Sequence, residues 1–505
     1  MSTTPQEHMV IVPLDNRPVT YVLPQLITAV AGIQPLAPPR QFMGSLKTPT
    51  DTGKLNEWLT KALQQHKPKA LFVCLDTFLY GGMVPWSRVS KDPLEEVLNR
   101  AKSIPQWKQL GASNLKVSAQ ASIMRIPDYD DATEEPPYWQ EYGRKIFRWS
   151  ALLHKQKAGS LSSEAELRAS EAAIPQEMRE DFLWRRNRNF KVNQTVLKYA
   201  QLGDIDYLVF SQDDTGEFGL NVYEKGELMS SAKEAKATNV VAYAGADEVM
   251  LSLITRWLAG TQATPPSVSL QFSPTGGEAV LSNYEGQTIG QSLRNQIAAA
   301  GLNLVDGSKS QDKIDFTVIA HTSGSKQGDH MWLPGHPDLR KVDTTEAVEQ
   351  TLQLIKNSNV PCVLCDVAYS NGADPVLVDR LLQDKNLFSK LWAYAGWNTT
   401  GNTVGSALAL GVASWYAAKH QLNTADALNQ ALFVRLADDW AYQTQVRSQL
   451  NNQASEAILN QLMKPHVQKL ATFLNLKPEI AKLSFPWQRT FEVEVALTNK
   501  VGALI

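Results

Sequence analysis

Short continuous runs of Val, Ile, Leu and Phe recur along the first four-fifths of the chain, each closed by a polar or glycine-containing loop and followed by a helical stretch. Continuous rather than alternating runs mark strands buried on both faces, and strands that alternate with helices predict a parallel α/β architecture. The first half supplies candidate strands at 9–14, 70–75, 115–121, 207–211 and 240–243. After a linker at 261–266, further candidates follow at 268–272, 302–305, 316–320, 361–365 and 391–394. Two α/β units of about five strands each fit this pattern, as does a single (β/α)-barrel with insertions, and periodicity does not separate the two.

A charge-rich helical insertion is predicted between the third and fourth runs, from Trp139 to Tyr199, and its Arg185, Arg186 and Arg188 read as a solvated helix face. The apolar stretch from Val404 to Ala418 is too short to span a bilayer and reads as a buried helix. Beyond Thr403 the pattern is helical as far as Leu474, and alternation from Phe491 to Leu497 predicts a half-exposed strand. The expected fold is therefore α/β, with a parallel-sheet, (β/α)-barrel-like N-terminal half at 1–262, a second α/β unit at 263–402 and a mostly helical region at 403–505.

Composition changes this picture little. The chain has 505 residues, 43% of them hydrophobic and 20% charged, as a globular protein should, and the net charge of -2 gives no global pull toward nucleic acid or an anionic membrane. Three cysteines, Cys74, Cys362 and Cys365, are too few for a disulfide framework and fit a reducing compartment. With no basic start or long apolar stretch at 1–14, a cytoplasmic location is expected.

The candidate chemistry lies just after the apolar runs, because ligands of parallel α/β folds bind beyond the carboxyl ends of the strands. These positions hold Asp15, Asn16 and Arg17; Asp76, Tyr80 and Arg88; Arg125; Asp213 and Asp214; Asp247 and Glu248; His321; Asp366 and Asn371; and Trp397, Asn398 and Asn402. A single Asp after a strand is most often a helix cap. A set weighted toward Asp, Asn, Arg and aromatics suits a polyhydroxylated small molecule or oligosaccharide, since carboxylates and amides bond hydroxyls and rings cover the face of a sugar. The sharpest feature is Asp213-Asp214, with Asp247-Glu248 one βα unit later. Two carboxylates crowded in a dry site separate into a proton donor and a charged partner, which is how glycosidic bonds are commonly cut.

Alternatives of other classes remain open at this level. His321, His330 and His336 with Asp329 and Asp366 offer nitrogen and oxygen ligands for a metal-assisted hydrolase or lyase, although their spacing matches no standard motif. A non-catalytic sugar sensor would use the same strand-end residues. Cys362 and Cys365 sit within an apolar run and read as buried thiols. No phosphate-binding loop, dinucleotide fingerprint or nucleophile elbow is found, so no cofactor is expected.

The segments at 12–19, at 75–82, at 211–216, at 245–248 and at 394–402 together resemble the bacterial domain-of-unknown-function family 4127. The resemblance runs over most of the chain and implies no activity. A local likeness to the O-GlcNAcase-type hexosaminidases touches Asp213, Asp214 and the Trp397-Asn398 loop. It implies that one aspartate orients the substrate's acetamido group while the other protonates the leaving oxygen, with either order of roles. The overall expectation is a carbohydrate-active enzyme, a glycoside hydrolase with Asp213 and Asp214 as its catalytic pair.

Overall fold

Each of the ten apolar runs forms a strand in the computed structural model, which describes residues 7–213, 216–306, 313–331, 338–477 and 481–497. The chain divides into two compact units, one of residues 1–16 and 35–250 and the other of residues 17–34 and 251–505.

The first unit is built on six strands: β1 (His8–Val12), β2 (Gln34–Leu36), β3 (Ala70–Cys74), β4 (Lys116–Ile123), β5 (Tyr207–Gln212) and β6 (Val240–Ala244). Their order is β2-β1-β3-β4-β5-β6, and β1 through β6 run parallel from β1 to β3, β4, β5 and β6 in turn. The sheet is open, with β2 and β6 at its edges, rather than closed into a barrel. β2 escaped the pattern because it has three residues and contains Pro35, a composition confined to edges. Period-2 alternation puts Val10 and Val12, Leu71 and Val73, Val117 and Ala119, and Leu208 and Phe210 into one core. Leu55, Leu59 and Leu63 of the helix Thr52–His66 and Val192 and Val196 of the helix Gln176–Gln201 pack in the same core.

The insertion forms three helices, Trp139–Lys157, Glu164–Ala172 and Gln176–Gln201, around a small core that includes Trp139, Ile146, Trp149 and Phe182. Its arginines are not a solvated face: Arg185, Arg186 and Arg188 are all buried. Arg185 Nη1 donates to the carbonyls of Val89 (2.8 Å) and Ser90 (2.9 Å), and Arg188 to those of Ser87 (3.0 Å) and Ser90 (2.7 Å). These carbonyls lie in the short helix Trp86–Val89 and at its cap, Ser90, where a helix end leaves carbonyls without partners further along, and guanidinium groups satisfy them. Arg186 pairs with Glu224 through both terminal oxygens, at 2.9 and 2.6 Å.

The second unit has a five-stranded sheet of β7 (Ser267–Ser273), β8 (Asn303–Leu304), β9 (Phe316–His321), β11 (Cys362–Asp366) and β13 (Leu391–Ala395). Its order is β13-β11-β9-β7-β8, and all its pairs are parallel. Two short strands, β10 (Gly328–Asp329) and β12 (Tyr369–Ser370), pair beyond its carboxyl end. The apolar stretch near 404–418 lies in the helix Thr400–Lys419, which is buried over nearly its whole length. Among the described residues no helix is long and apolar enough to cross a membrane. The helix Ala425–Arg435 continues into an eleven-residue π-helix, Leu436–Val446, and the chain closes with an antiparallel pair, β14 (Ala481–Ser484) and β15 (Glu494–Leu497). The alternating segment at 491–497 is thus a strand in its second half. Cys74, Cys362 and Cys365 are free and buried.

Candidate functional site

The strand order of the first unit reverses between β1 and β3, so the crevice beyond those two strands is where a parallel sheet offers a ligand site. Asp15 follows β1 and Asp76 follows β3, and both are buried. Asp76 Oδ2 accepts the Ser122 amide at 2.8 Å from the end of β4. Burial raises its pKa, against the hydrogen bonds from Ser122 and Ser87 and the charge of Arg88. Asn16 presents its carbonyl to Arg40 Nη2 at 2.7 Å. Tyr80 is buried with its ring under the Arg188 guanidinium, 5.0 Å away.

Arg125, just past β4, organises the acids of this edge. Its Nη1 donates to Asp213 Oδ2 at 2.9 Å, and its Nη2 to Glu134 Oε2 and the Tyr129 hydroxyl, each at 3.0 Å. Its Nε donates to Glu135 Oε1 at 2.8 Å, the same oxygen that Arg88 Nε approaches at 3.0 Å. The fixed fork of the guanidinium therefore sets two carboxylates side by side. Both reach the surface, with the side chain of Asp213 35% exposed and that of Glu134 22%, whereas Glu135 is sealed at 1%. Asp214 lies outside the described residues.

After β6 the chain turns at Gly245, whose φ of 137° no side chain adopts readily and where a Cβ would stand 1.9 Å from Glu248 Oε1. That turn folds the Glu248 carboxylate back, and its Oε2 accepts the Ala246 amide at 3.2 Å. Asp247 and Glu248 are both buried. Gln120, on β4, donates to the Ala246 carbonyl at 3.0 Å, while its own Oε1 is buried without a partner.

The remaining candidates belong to the second unit. His321 and Asp366 are register partners on β9 and β11, as the strand-end rule places them, and both are fully buried. Both ring nitrogens of His321 are engaged, Nδ1 with Thr351 Oγ1 at 2.8 Å and Nε2 with Asp374 Oδ2 at 3.0 Å. Burial alone would raise the Asp374 pKa, but the hydrogen bond and charge of His321 outweigh it and hold it low. His330 stacks on Tyr369 at 4.4 Å, with Nε2 on the Ala373 carbonyl at 2.8 Å. Among the described residues no group of three or more His, Cys, Asp or Glu is placed to hold a metal ion. His336 lies outside the described residues. Asn371 Nδ2 donates to Asp329 Oδ1 at 2.9 Å, and its amide to the Asn398 carbonyl at 2.8 Å. Asn371 and Asn398 both sit in the left-handed region, each at φ 59°. Trp397 is only 2% exposed, so its ring is packed and not presented as a stacking surface. Asn402 lies in the first turn of the helix capped by Thr399, and Arg17, also in this unit, stands over the Trp487 ring at 5.1 Å.

The candidates thus fall into two sets: Asp15, Asn16, Asp76, Tyr80, Arg125, Asp213, Asp247 and Glu248 in the first unit, and Arg17, Asp366, Asn371, Trp397, Asn398 and Asn402 in the second. Sequence reasoning missed Glu134, Glu135 and Tyr129. The signal was present in the acidic stretch Asp128 to Glu135, directly after Arg125.

Open parallel sheets with polar groups gathered at their carboxyl ends define the class, a mixed α/β protein of two units. The chain belongs to the family described as Protein of unknown function (DUF4127), which it matches over residues 9–496. No curated protein matches it.

Proposed function

We propose that the strand-end edge of the first unit is the active site of a carbohydrate-active enzyme that hydrolyses a glycosidic bond. The observation that carries this reading is the Arg125 fork, which holds Asp213 and Glu134 next to each other at the surface of an otherwise buried acid edge. Glycosidic cleavage needs a charged carboxylate beside the anomeric carbon and an acid that protonates the leaving oxygen, while water supplies the new hydroxyl. Asp213, fixed by Arg125, is the charged member, and Asp214 is the proton donor. With an N-acetylhexosaminide, Asp213 would instead orient the acetamido group for attack on the anomeric carbon. Asn16, half-buried after β1, supplies an amide for sugar hydroxyls.

The test is a screen of the protein against α- and β-linked aryl glycosides, N-acetylhexosaminides included, beside Asp213→Asn and Asp214→Asn. Turnover of at least one glycoside is expected, reduced by about 10²–10⁴-fold in each variant. Turnover that survives both substitutions, or none on any glycoside, would sink the reading.

A further inference from the structure

Where β9, β11 and β13 end, the second unit holds a set of acids that the reading above does not use. Asp366, Asp374 and Asp439 are fully buried and Asp438 nearly so. Arg435 faces two of them, with Nη1 3.1 Å from Asp439 Oδ1 and Nη2 3.1 Å from Asp438 Oδ2; the charge of Arg447 also reaches Asp438, and the His321 ring pairs with Asp374. Ionising all four carboxylates away from water, with only these partners, is costly, and the arrangement favours keeping some of their protons.

Two oxygens indicate which. Asp366 Oδ1 and Asp439 Oδ1 are sealed from solvent with no hydrogen bond, and Arg435 Nη1 stands 3.1 Å from the latter as an ion-pair partner. The other oxygen of each acid is occupied. Asp366 Oδ2 accepts the Tyr394 hydroxyl at 3.0 Å and the Asp374 amide at 2.8 Å, and Asp439 Oδ2 accepts the Gly396 amide at 2.8 Å. Burying a charged carboxylate in such a place costs far more than burying a neutral carboxyl group. Gly396 sits against both: a Cβ there would come within 3.3 Å of Asp366 Cβ and 3.1 Å of the Tyr394 hydroxyl.

These acids fasten two loops. The Asp374 amide ends the loop 367–374 on Asp366, the Ala373 amide donates to the Asp439 carbonyl at 2.9 Å, and the Gly396 amide starts the loop 396–399 on the Asp439 side chain. Asn371 and Asn398, the left-handed residues joined by one backbone hydrogen bond, lie on those loops. We propose that Asp366 and Asp439 form a proton-dependent latch, which keeps both loops closed while the two acids carry their protons and loosens them when the protons leave. This inference is independent of the glycosidase reading.

The surrounding charges give the range. Burial pushes Asp366 up to about 6, with His321 opposing and Asp374 adding. Burial likewise pushes Asp439 up to about 7, with Arg435 opposing and Asp438 and Asp366 adding. Asp438 is raised as well, by burial first, with the charge of Glu492 contributing against Arg435. Burial moves Cys365 and Tyr394 upward, away from this range. In the closed state the two acids bind protons that an opened, solvated carboxyl would have lost. Closure is therefore strongest below the ordinary carboxylate range, weakens as pH climbs through 6 and 7, and is flat above.

Hydrogen exchange, corrected for the intrinsic rate at each pH, would read the latch at the amides of Ala373, Asp374 and Gly396. Their protection is expected to fall at least about tenfold between pH 5 and pH 7 and then level off. Asp439→Asn, which keeps the shape and a donor, is expected to remove most of the step, and Asp366→Asn with Asp439→Asn all of it. Constant wild-type protection across that range, or an undiminished step in the double variant, would overturn the proposal. Should the variants not fold, infrared spectroscopy of the wild type decides. The carbonyl band of protonated buried carboxyls must be present at pH 5 and lose intensity by pH 8, and a band absent at pH 5 or unchanged to pH 8 overturns the latch.

Discussion

Arg186 shows how much a single side chain contributes to the first unit. It is 2% exposed, donates to the Met124 carbonyl at 2.9 Å and grips Glu224 with two hydrogen bonds, yet burial still raises the Glu224 pKa against that pairing. Removing one partner of a buried pair leaves the other uncompensated, so Arg186→Met is expected to cost about 3–5 kcal/mol in urea unfolding. Adding Glu224→Gln should return part of that loss, and a cost under about 1 kcal/mol would show the pair to be dispensable. At this scale the sequence was legible in kind but not in placement. Residues after apolar runs do collect at the strand ends, as Asp76, Arg125, Asp213 and Asp366 illustrate. Which of them meet solvent depends on contacts far away in the chain: Asp213 is partly open, whereas Trp397 is packed. The arginine run was misread for the same reason, since nothing local reveals that carbonyls at 87–92 will need donors from residues 185–188.

Among elements, most of the ten strands read from the pattern were legible because burial on both faces leaves an unbroken apolar signature, the two-residue, exposed β8 excepted. The π-helix Leu436–Val446 was not, because over eleven residues its repeat is too close to that of an α-helix to be told apart. Asp438 and Asp439 were not singled out, because nothing local in a helical stretch shows that its acids will be buried. The helix Thr400–Lys419 illustrates a close fit to the sheet: a Cβ on Gly411 would lie 2.3 Å from Val363 Cγ2 of β11. An Ala in mid-helix ordinarily gains up to about 1 kcal/mol over Gly, but overpacking costs about 1–3 kcal/mol. Gly411→Ala is therefore expected to lower the melting temperature, and Val363→Ala added to it should cost less than the two changes measured separately. Strict additivity would show that the helix moves aside freely.

For the whole molecule, two open sheets with different strand orders each carry their own strand-end chemistry, an acid edge fixed by Arg125 in one and a proton-holding cluster in the other. The division between the units was only half legible. The pattern offers a linker at 261–266, whereas the units divide between Met250 and Leu251, and nothing there reveals that residues 17–34 belong with the later unit. Those residues carry the helix Leu23–Val30, buried along nearly all its length, which packs on the helices Thr400–Lys419 and Ala425–Arg435. A fragment of residues 1–250 should consequently aggregate, while the same fragment with 17–34 replaced by a short Gly-Ser linker should stay monomeric in size-exclusion chromatography. Equal solubility of the two would show that this helix needs no partner.

The order of events on the ribosome follows from the same segment. Residues 17–34 are synthesised long before residues 400–435, whose helices cover their apolar helix. Between those two stretches the nascent chain therefore carries an apolar helix without its packing partners, a natural handle for a chaperone.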